Sequence, residues 1–198
     1  MSERGALLIN SVIGDHENPY FDILKNVLEE MGVQVHPMIF AELLRPEVQA
    51  RIIQEYPMII ISGNKGYGPH FADAEEFPQA YSWVPQYNGK LLGICRGHQI
   101  IGVSFGATLE RGKHPEAGPV KVKFRHNDPI SAGMGVSVSL WEEHRDAITT
   151  PEGFSHMAES ASCPVQMIKG PGKQFGSQGH PEILDESKIF LFNFLNLP

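Results

Sequence analysis

Cys95 lies between Gly93 and Gly97, at the G-x-C-x-G spacing of a nucleophile elbow. The apolar residues 90–94 before it predict a buried strand, and residues 99–105 after it predict a short buried helix. Glycines at such a strand-to-helix turn allow close backbone approach, and the helix N-terminus favours a thiolate over a thiol. A thiolate here could attack a carbonyl carbon. A buried structural thiol in a glycine-rich turn fits the pentapeptide equally well.

A thiol nucleophile needs a general base, and the base needs a group that orients it. The chain has nine histidines, and His180 stands out among them because Glu182 follows it across Pro181. In an extended segment, side chains two residues apart lie on the same side, so the carboxylate can accept a hydrogen bond from the imidazole and select its tautomer. Taken alone, His-Pro-Glu is more typical of a polar loop before the last helix than of a catalytic base.

The first half of the chain alternates strands with helices. Asn18 is predicted as the N-cap of the first helix, with Pro19 at its first position and Gly32 ending it. The alternation predicts an α/β fold: an open, mostly parallel sheet with helices on both faces and a flavodoxin-like core. The predicted strands span residues 6–12, 33–40, 58–61 and 91–94, and the helices span residues 19–31 and 46–56.

The second half has short strand patterns joined by Gly, Pro and Ser turns, which predicts a smaller antiparallel part of the same domain. A final helix is expected over residues 185–195. The length suits one domain over residues 1–198. The predicted antiparallel strands span residues 120–124, 136–140, 156–158 and 165–168.

Composition restricts which kinds of partner and which cellular compartment are expected for this protein. The formal net charge is −7 and no basic run is present, which argues against a nucleic-acid partner. No apolar stretch is long enough to span a membrane, and the N-terminal apolar segment is too short for a signal peptide. Two distant cysteines suit a reducing compartment, so a soluble cytoplasmic protein is expected. The histidines lack paired ligand spacing, so no metal and no cofactor are predicted.

The motifs together resemble one family. Residues 93–99 read G-I-C-R-G-H-Q, and with the later His180-Pro181-Glu182 they resemble the class I, or triad, glutamine amidotransferases. Residues 62–64 (S-G-N) match that family's S-G-G oxyanion loop. Residues 141–146 (W-E-E-H-R-D) match the S-H-x-D segment of its GMP-synthetase-like branch.

The resemblance implies a Cys-His-Glu triad. Cys95 would attack the side-chain amide carbon of glutamine, His180 would take and return the proton, and Glu182 would orient His180. Backbone N–H groups of Asn64 and Arg96 would form the oxyanion hole.

The resemblance also implies four substrate-binding residues. Gly63 and Gln99 would contact the glutamine substrate, and His144 and Asp146 would lie near its amino-acid head.

Three residues depart from the family pattern. Asn64 replaces a glycine, and asparagine tolerates positive φ better than most residues, so the loop could keep its shape. Gly179 replaces a phenylalanine before the base, which adds flexibility there. Arg96 replaces the commoner leucine, as in the γ-glutamyl-γ-aminobutyrate hydrolase branch.

The function implied is hydrolysis of glutamine, with ammonia passed to a separate synthetase subunit. No G-x-x-x-x-G-K-[ST] loop for ATP is present in the sequence. Two alternatives stay open: a free-standing hydrolase of γ-glutamyl amides, and a catalytically silent regulatory subunit.

Overall fold

A computed structural model describes residues 4–66 and 68–198. A nine-stranded sheet runs through them in the order β2-β1-β3-β4-β11-β10-β9-β6-β7, and β5 and β8 pair separately. The strands are β1 (Arg4–Ile9), β2 (Val33–Met38), β3 (Met58–Ile61), β4 (Lys90–Ile94), β5 (Leu109–Glu110), β6 (Glu116–Phe124), β7 (Ser137–His144), β8 (Ala147–Ile148), β9 (Ser155–Glu159), β10 (Met167–Lys169) and β11 (Gln174–Ser177). The helices are α1 (Pro19–Glu30), α2 (Pro46–Glu55), α3 (Phe77–Ala80), α4 (Arg96–Ser104) and α5 (Lys188–Asn196).

The parallel and antiparallel parts of the sheet follow the predicted division. Strands β2, β1, β3, β4 and β11 pair in parallel, and β10, β9, β6 and β7 extend the sheet with antiparallel pairs. In the register, Ile61 pairs with Gly93, and Ile94 pairs with Ser177. The carboxyl ends of β3, β4 and β11 therefore meet at one edge, where ligands bind in open α/β sheets.

Apolar side chains cover both faces of the parallel strands. Leu8 of β1 packs with Leu28 of α1 on one face. Its neighbours Leu7 and Ile9 pack with Ile52 of α2 on the other. Strands buried on both faces read as continuous apolar runs, which is why β1, β3 and β4 were visible in the sequence. The predicted fold class is confirmed.

The start of α1 differs from its prediction in one respect. Asn18 occupies the N-cap position, but its side chain makes no capping hydrogen bond. Its amide instead donates to Asn10 Oδ1 at 2.8 Å and to the Gly63 carbonyl at 2.9 Å. The side chain thus ties the loop after β1 to the loop after β3. Gly32, with φ +79°, follows the helix as predicted.

Strands β6 and β7 are longer than predicted. Residues alternate in burial along β7, and its inward positions near the end are Glu142 and His144. Inward polar residues break the hydrophobic alternation from which strands are recognised. The last helix also starts late, since Asp185–Ser187 form a 3₁₀ turn before α5. Among the described residues, no helix is long and apolar enough to cross a membrane.

Candidate active site

Cys95 is on a strained turn between β4 and α4. Its φ of 51° and ψ of −107° make it the one non-glycine residue with positive φ in the described part of the chain. A Cβ on Gly93 would collide with the backbone of Gly97, and one on Gly97 would collide with the Ile61 carbonyl. Both glycines are therefore needed for α4 to pack directly on the sheet. The predicted elbow is present.

His180 and Glu182 form a buried pair beside this turn. His180 Nδ1 lies 2.8 Å from Glu182 Oε1, and the two residues are 0% and 1% exposed. The His180 backbone N–H donates to the Trp141 carbonyl at 2.8 Å, which joins the base segment to β7. Burial alone would lower the pKa of His180, but the charges of Glu182 and Cys95 raise that pKa well above its ordinary value. The His180–Glu182 pair therefore favours the protonated form of the imidazole.

Gly63 lies against both Cys95 and His180. A Cβ built on Gly63 would lie 2.5 Å from His180 Cε1 and 3.3 Å from Cys95 Cβ, so the loop after β3 touches both residues. His180 Nε2 is buried and has no hydrogen-bond partner among the described residues, so it is available to the thiol or a leaving group. Catalytic hydrogen bonds are often loose until substrate binds.

The two predicted oxyanion donors line one cavity with Cys95. The Arg96 N–H is in the first turn of α4, where helix N–H groups have no partner within the helix. Asn64 does not adopt positive φ, so the asparagine causes no strain and the tolerance invoked from the sequence is not needed.

The Arg96 side chain turns inward. It is 7% exposed, and its Nη1 donates to the Ser11 and Pro69 carbonyls, both at 3.4 Å. The guanidinium thus bridges the loops that follow β1 and β3.

The cavity has a volume of about 870 Å³. Gln99, His144 and Asp146, which are predicted to bind substrate, all line it, but their polar groups are engaged within the protein. Gln99 Nε2 donates to the Asp146 carbonyl at 3.0 Å, and the Asp146 carboxylate accepts from the Gly112 N–H at 2.7 Å and lies 2.8 Å from His70 Nε2. The walls are therefore stiff before any ligand arrives. The lining residues are Asn64, Lys65, Gly66, His70, Cys95, Arg96, Gln99, Arg111, Gly112, Pro115, Glu116, Ala117, Glu143, His144, Arg145 and Asp146.

His144 is held between two buried carboxylates. Its Nε2 lies 3.1 Å from Glu116 Oε2 and 3.3 Å from Glu142 Oε2. Burial opposes the charge, but hydrogen bonds to both carboxylates raise the pKa of His144 to about 10. Burial also opposes ionisation of Glu116, yet His144 and the Ser160 and Ser162 hydroxyls lower the pKa of Glu116 to about 2.

The same cluster has the donor types of a metal site. Ligand atoms of Glu116, His144 and Cys163 all lie within 4.8 Å of one another. Glu116 is already saturated, however, with Gln166 Nε2 at 2.5 Å in addition to its contacts with Ser160, Ser162 and His144. The cluster fits an internal hydrogen-bond network better than an ion, which would have to displace those contacts.

The model of one family, described as glutamine amidotransferase class-I, matches residues 12–196. The chain belongs to the class I glutamine amidotransferases. Within this family, it is 34% identical over 152 residues to a subunit of the glutamine-hydrolyzing GMP synthase of Sulfurisphaera tokodaii, covering 75% of this chain and 79% of that protein. It is 31% identical over 181 residues to the protein of the same name from Saccharolobus solfataricus, covering 88% and 90%.

Solved structures agree on the amidotransferase fold. A putative GMP synthase subunit from Thermoplasma acidophilum superposes with a TM-score of 0.82 at 24% identity, covering 98% of this chain and 94% of that chain. A glutamine amidotransferase from Thermotoga maritima gives a TM-score of 0.73 at 20% identity, covering 98% and 83%. The predicted family is confirmed, and so is the prediction that the protein is an enzyme.

Gly179 departs from the amidotransferase pattern for a steric reason. A Cβ there would collide with the Glu142 carboxylate and would lie 2.8 Å from the Leu140 Cβ. The glycine lets the segment that contains His180 pass over the buried Glu142 carboxylate of β7. The flexibility expected from Gly179 is countered by the hydrogen bond from the next residue to Trp141.

Sequence reasoning assigned no role to Gln178. This fully buried amide donates from Nε2 to Cys95 Sγ at 3.7 Å, and its Oε1 accepts from Gln99 Nε2 at 3.1 Å. A line of amides thus runs from the cavity wall to the sulfur. The sequence could have indicated this position, because Gln178 precedes His180 by two residues and an extended segment places both side chains on one side.

Proposed function

We propose that this amidotransferase hydrolyses the side-chain amide of glutamine through a Cys95-His180-Glu182 triad, with residues 1–198 acting as one domain. The observation that carries the proposal is the strained Cys95 elbow packed, through Gly63, against a buried His180 whose Nδ1 lies 2.8 Å from Glu182. A positive-φ thiol, a base and an orienting carboxylate are the three parts that nucleophilic acyl transfer requires.

The chemistry proceeds in two halves. The Cys95 thiolate forms a bond to the amide carbon, and His180 gives its proton to the departing nitrogen, so ammonia leaves and a γ-glutamyl thioester remains. His180 then takes a proton from water, which attacks the thioester and releases glutamate and the thiolate. The oxyanion of each tetrahedral intermediate accepts hydrogen bonds from the Asn64 and Arg96 N–H groups.

We also propose that the ammonia is passed to a separate synthetase. The relatives are named as one subunit of a glutamine-hydrolyzing GMP synthase, and an enzyme whose parts are named in this way has at least one other chain. The free state of both cysteines supports a reducing cytoplasm as its compartment.

The test is ammonia release from glutamine by the purified chain, with and without a candidate synthetase. Cys95→Ala should abolish release. Cys163→Ala is the matched control, since Cys163 is buried within the second half of the chain and should leave kcat within about two-fold of the parent. Absence of turnover with glutamine and with every γ-glutamyl amide, alone or with the partner, would overturn the proposal and favour a silent regulatory role.

A second candidate is a free-standing hydrolase of larger γ-glutamyl amides. The cavity of about 870 Å³ favours it, because pockets of roughly 300–1,000 Å³ take drug-sized ligands and glutamine is smaller. Comparison of kcat/KM for glutamine and for a series of γ-glutamyl alkylamides separates the two. Faster turnover of the alkylamides without a partner supports the hydrolase.

A further inference from the structure

An aromatic ring covers one face of the proposed base. Tyr20, in the first turn of α1, stacks on His180 with ring centroids 3.9 Å apart and an interplanar angle of 27°. Tyr20 is 5% exposed, so the stack is shielded from water. The π-face of a tyrosine attracts a cation, and the imidazole becomes cationic when it takes the thiol proton.

The tyrosine is itself anchored from β7. Its hydroxyl donates a hydrogen bond to the Glu143 carboxylate and accepts one from Trp141 Nε1 at 3.3 Å. Trp141 also binds the His180 backbone N–H through its carbonyl. Glu143 lines the cavity that contains Cys95, so the chain of contacts Glu143–Tyr20–His180 runs from the cavity wall to the proposed base.

The stack adds a contact on the face of the His180 ring. The hydrogen bond to Glu182 fixes one ring nitrogen of His180, and Gly63 lies against the ring at Cε1. The groups that face the ring are Glu182 from its own loop, Cys95 from the elbow, Gly63 from the loop after β3 and Tyr20 from α1, with Glu142 of β7 acting on it electrostatically. Of these, Tyr20 is the one whose ring stacks on the imidazole plane.

We propose that Tyr20 is a positioning residue that holds the imidazole plane of His180 toward Cys95, and that Glu143 acts through Tyr20 by anchoring its hydroxyl. The proposal rests on the proposed function only in taking His180 as the base. Because a small displacement of a reacting group can cost on the order of 100-fold in rate, loss of the ring should appear in kcat.

The first test replaces the ring and the hydroxyl separately. Tyr20→Leu removes the stack and should lower kcat by roughly 10- to 100-fold with KM changed less than about three-fold. Tyr20→Phe keeps the ring, so its kcat should fall by only a small part of the decrease seen in Tyr20→Leu. Tyr87→Phe is the matched control, because the Tyr87 hydroxyl donates to the Tyr56 carbonyl at 2.7 Å in the other core cluster. A folded Tyr20→Leu enzyme with unchanged kcat would overturn the proposal.

The second test is a double-mutant cycle in kcat. If Glu143 acts through the Tyr20 hydroxyl, Glu143→Ala should lower kcat in the parent and do little more in the Tyr20→Phe background. Additive losses would show that Glu143 acts on its own, for instance on the substrate, and would overturn that half of the proposal.

A substrate-independent measurement separates this inference from the proposed function. The rate of Cys95 alkylation by iodoacetamide is followed against pH in the parent and in Tyr20→Leu. The leucine variant should need a higher pH for half-maximal rate, because a displaced imidazolium stabilises the thiolate less. This shift can be present even if no amide is hydrolysed, whereas identical profiles count against Tyr20 alone.

Discussion

At the scale of single residues, the two cysteines have opposite surroundings. Cys95 lines the cavity and has an imidazole, a helix N-terminus and the Gln178 amide around its sulfur. Cys163 is 0% exposed, and burial raises the pKa of its thiol to about 12. The Cys95 thiol therefore borders the cavity, whereas the Cys163 thiol is buried and protonated.

Iodoacetamide should distinguish these two thiols in the native protein. Cys95 should be alkylated at pH 8 while Cys163 remains unmodified, because a thiol with a pKa near 12 and no solvent access is almost entirely protonated and shielded. Mass spectrometry of the two peptides gives the result. Urea-unfolded protein is the control, in which both should react, and equal labelling of the native chain contradicts the assignment.

Gln178 should matter for the rate because its side-chain amide donates to the Cys95 sulfur. Gln178→Leu keeps the bulk but removes the donor to Cys95 Sγ, and a hydrogen bond to a charged acceptor contributes about 1.5–3 kcal/mol, so kcat should fall at least about 10-fold. Gln178→Glu keeps the shape and replaces the donor by an acceptor, so it should lose more. Steady-state kinetics would contradict this role if the two variants matched the parent.

At the scale of elements, three neighbouring strands each deliver one part of the site. The loops after β3, β4 and β11 carry Gly63, Cys95 and His180, and these strands lie side by side in the sheet. The predicted βαβ pattern was sufficient to place the first two loops together. The third could not be placed from local pattern, because β11 joins β4 only after the excursion through β5–β10.

The unpredicted contacts share a physical cause. Tyr20 belongs to α1 and Glu143 to β7, and their hydrogen bond depends on how helix and strand pack rather than on either sequence. Asn18 looked like a helix cap by residue type, but its amide N–H group donates to Asn10 and Gly63, and its Oδ1 accepts no hydrogen bond from the helix. Local propensity predicts elements well, whereas polar partners are chosen by tertiary neighbours.

Gly63→Ala tests how closely the β3 loop approaches the base. The new Cβ would lie 2.5 Å from His180 Cε1, so the ring must move and kcat should fall by roughly 100-fold. Gly32→Ala is the matched control, since nothing lies within 4 Å of that Cβ and φ is +79°. It should cost about 1 kcal/mol of stability and leave kcat unchanged. Equal activity of the two variants would contradict the close approach.

The cross-strand pair Glu116–His144 should make stability depend on pH. The pKa of His144 is raised from 6.5 to about 10 in the folded chain, so its contribution is complete below pH 6.5 and is lost as pH rises toward 10. Denaturant unfolding between pH 6 and pH 10 should show this decline.

Glu116→Gln supplies the comparison for that experiment. The variant should be less stable by about 3 kcal/mol near pH 6.5, because it leaves a buried imidazolium short of a partner, and its decline with pH should be smaller. A decline as steep as that of the parent would contradict the assignment to this pair.

At the scale of the whole molecule, one sheet joins the two halves. Strand β4, which precedes Cys95, pairs directly with β11, which precedes His180, and α5 packs against both through the same core cluster. Lys90, the first residue of β4, also donates to the Leu195 and Leu197 carbonyls at 3.1 and 2.6 Å. The chain should therefore unfold as one cooperative unit.

Phe194 and Phe192 test that cooperativity from one helix. Phe194 is fully buried and contacts Phe175 of β11 edge-on at 6.0 Å, so Phe194→Ala should cost about 3–5 kcal/mol. Phe192 is 56% exposed, and Phe192→Ala should cost less than about 1 kcal/mol. Loss of activity and of far-UV circular dichroism should coincide in denaturant for both variants. Separate transitions would show that the halves unfold independently.

The late position of β11 in the chain has a consequence during biosynthesis. During synthesis, the residues of β1–β4 and of the elbow emerge before those of β11, although a domain generally folds as a unit. The proposed base reaches the thiol only later, because His180 follows β11, which is synthesised after β5–β10 and must insert between β4 and β10. In a chain that stalls before β11, Cys95 would therefore lack the contact with His180 on which the proposed mechanism depends.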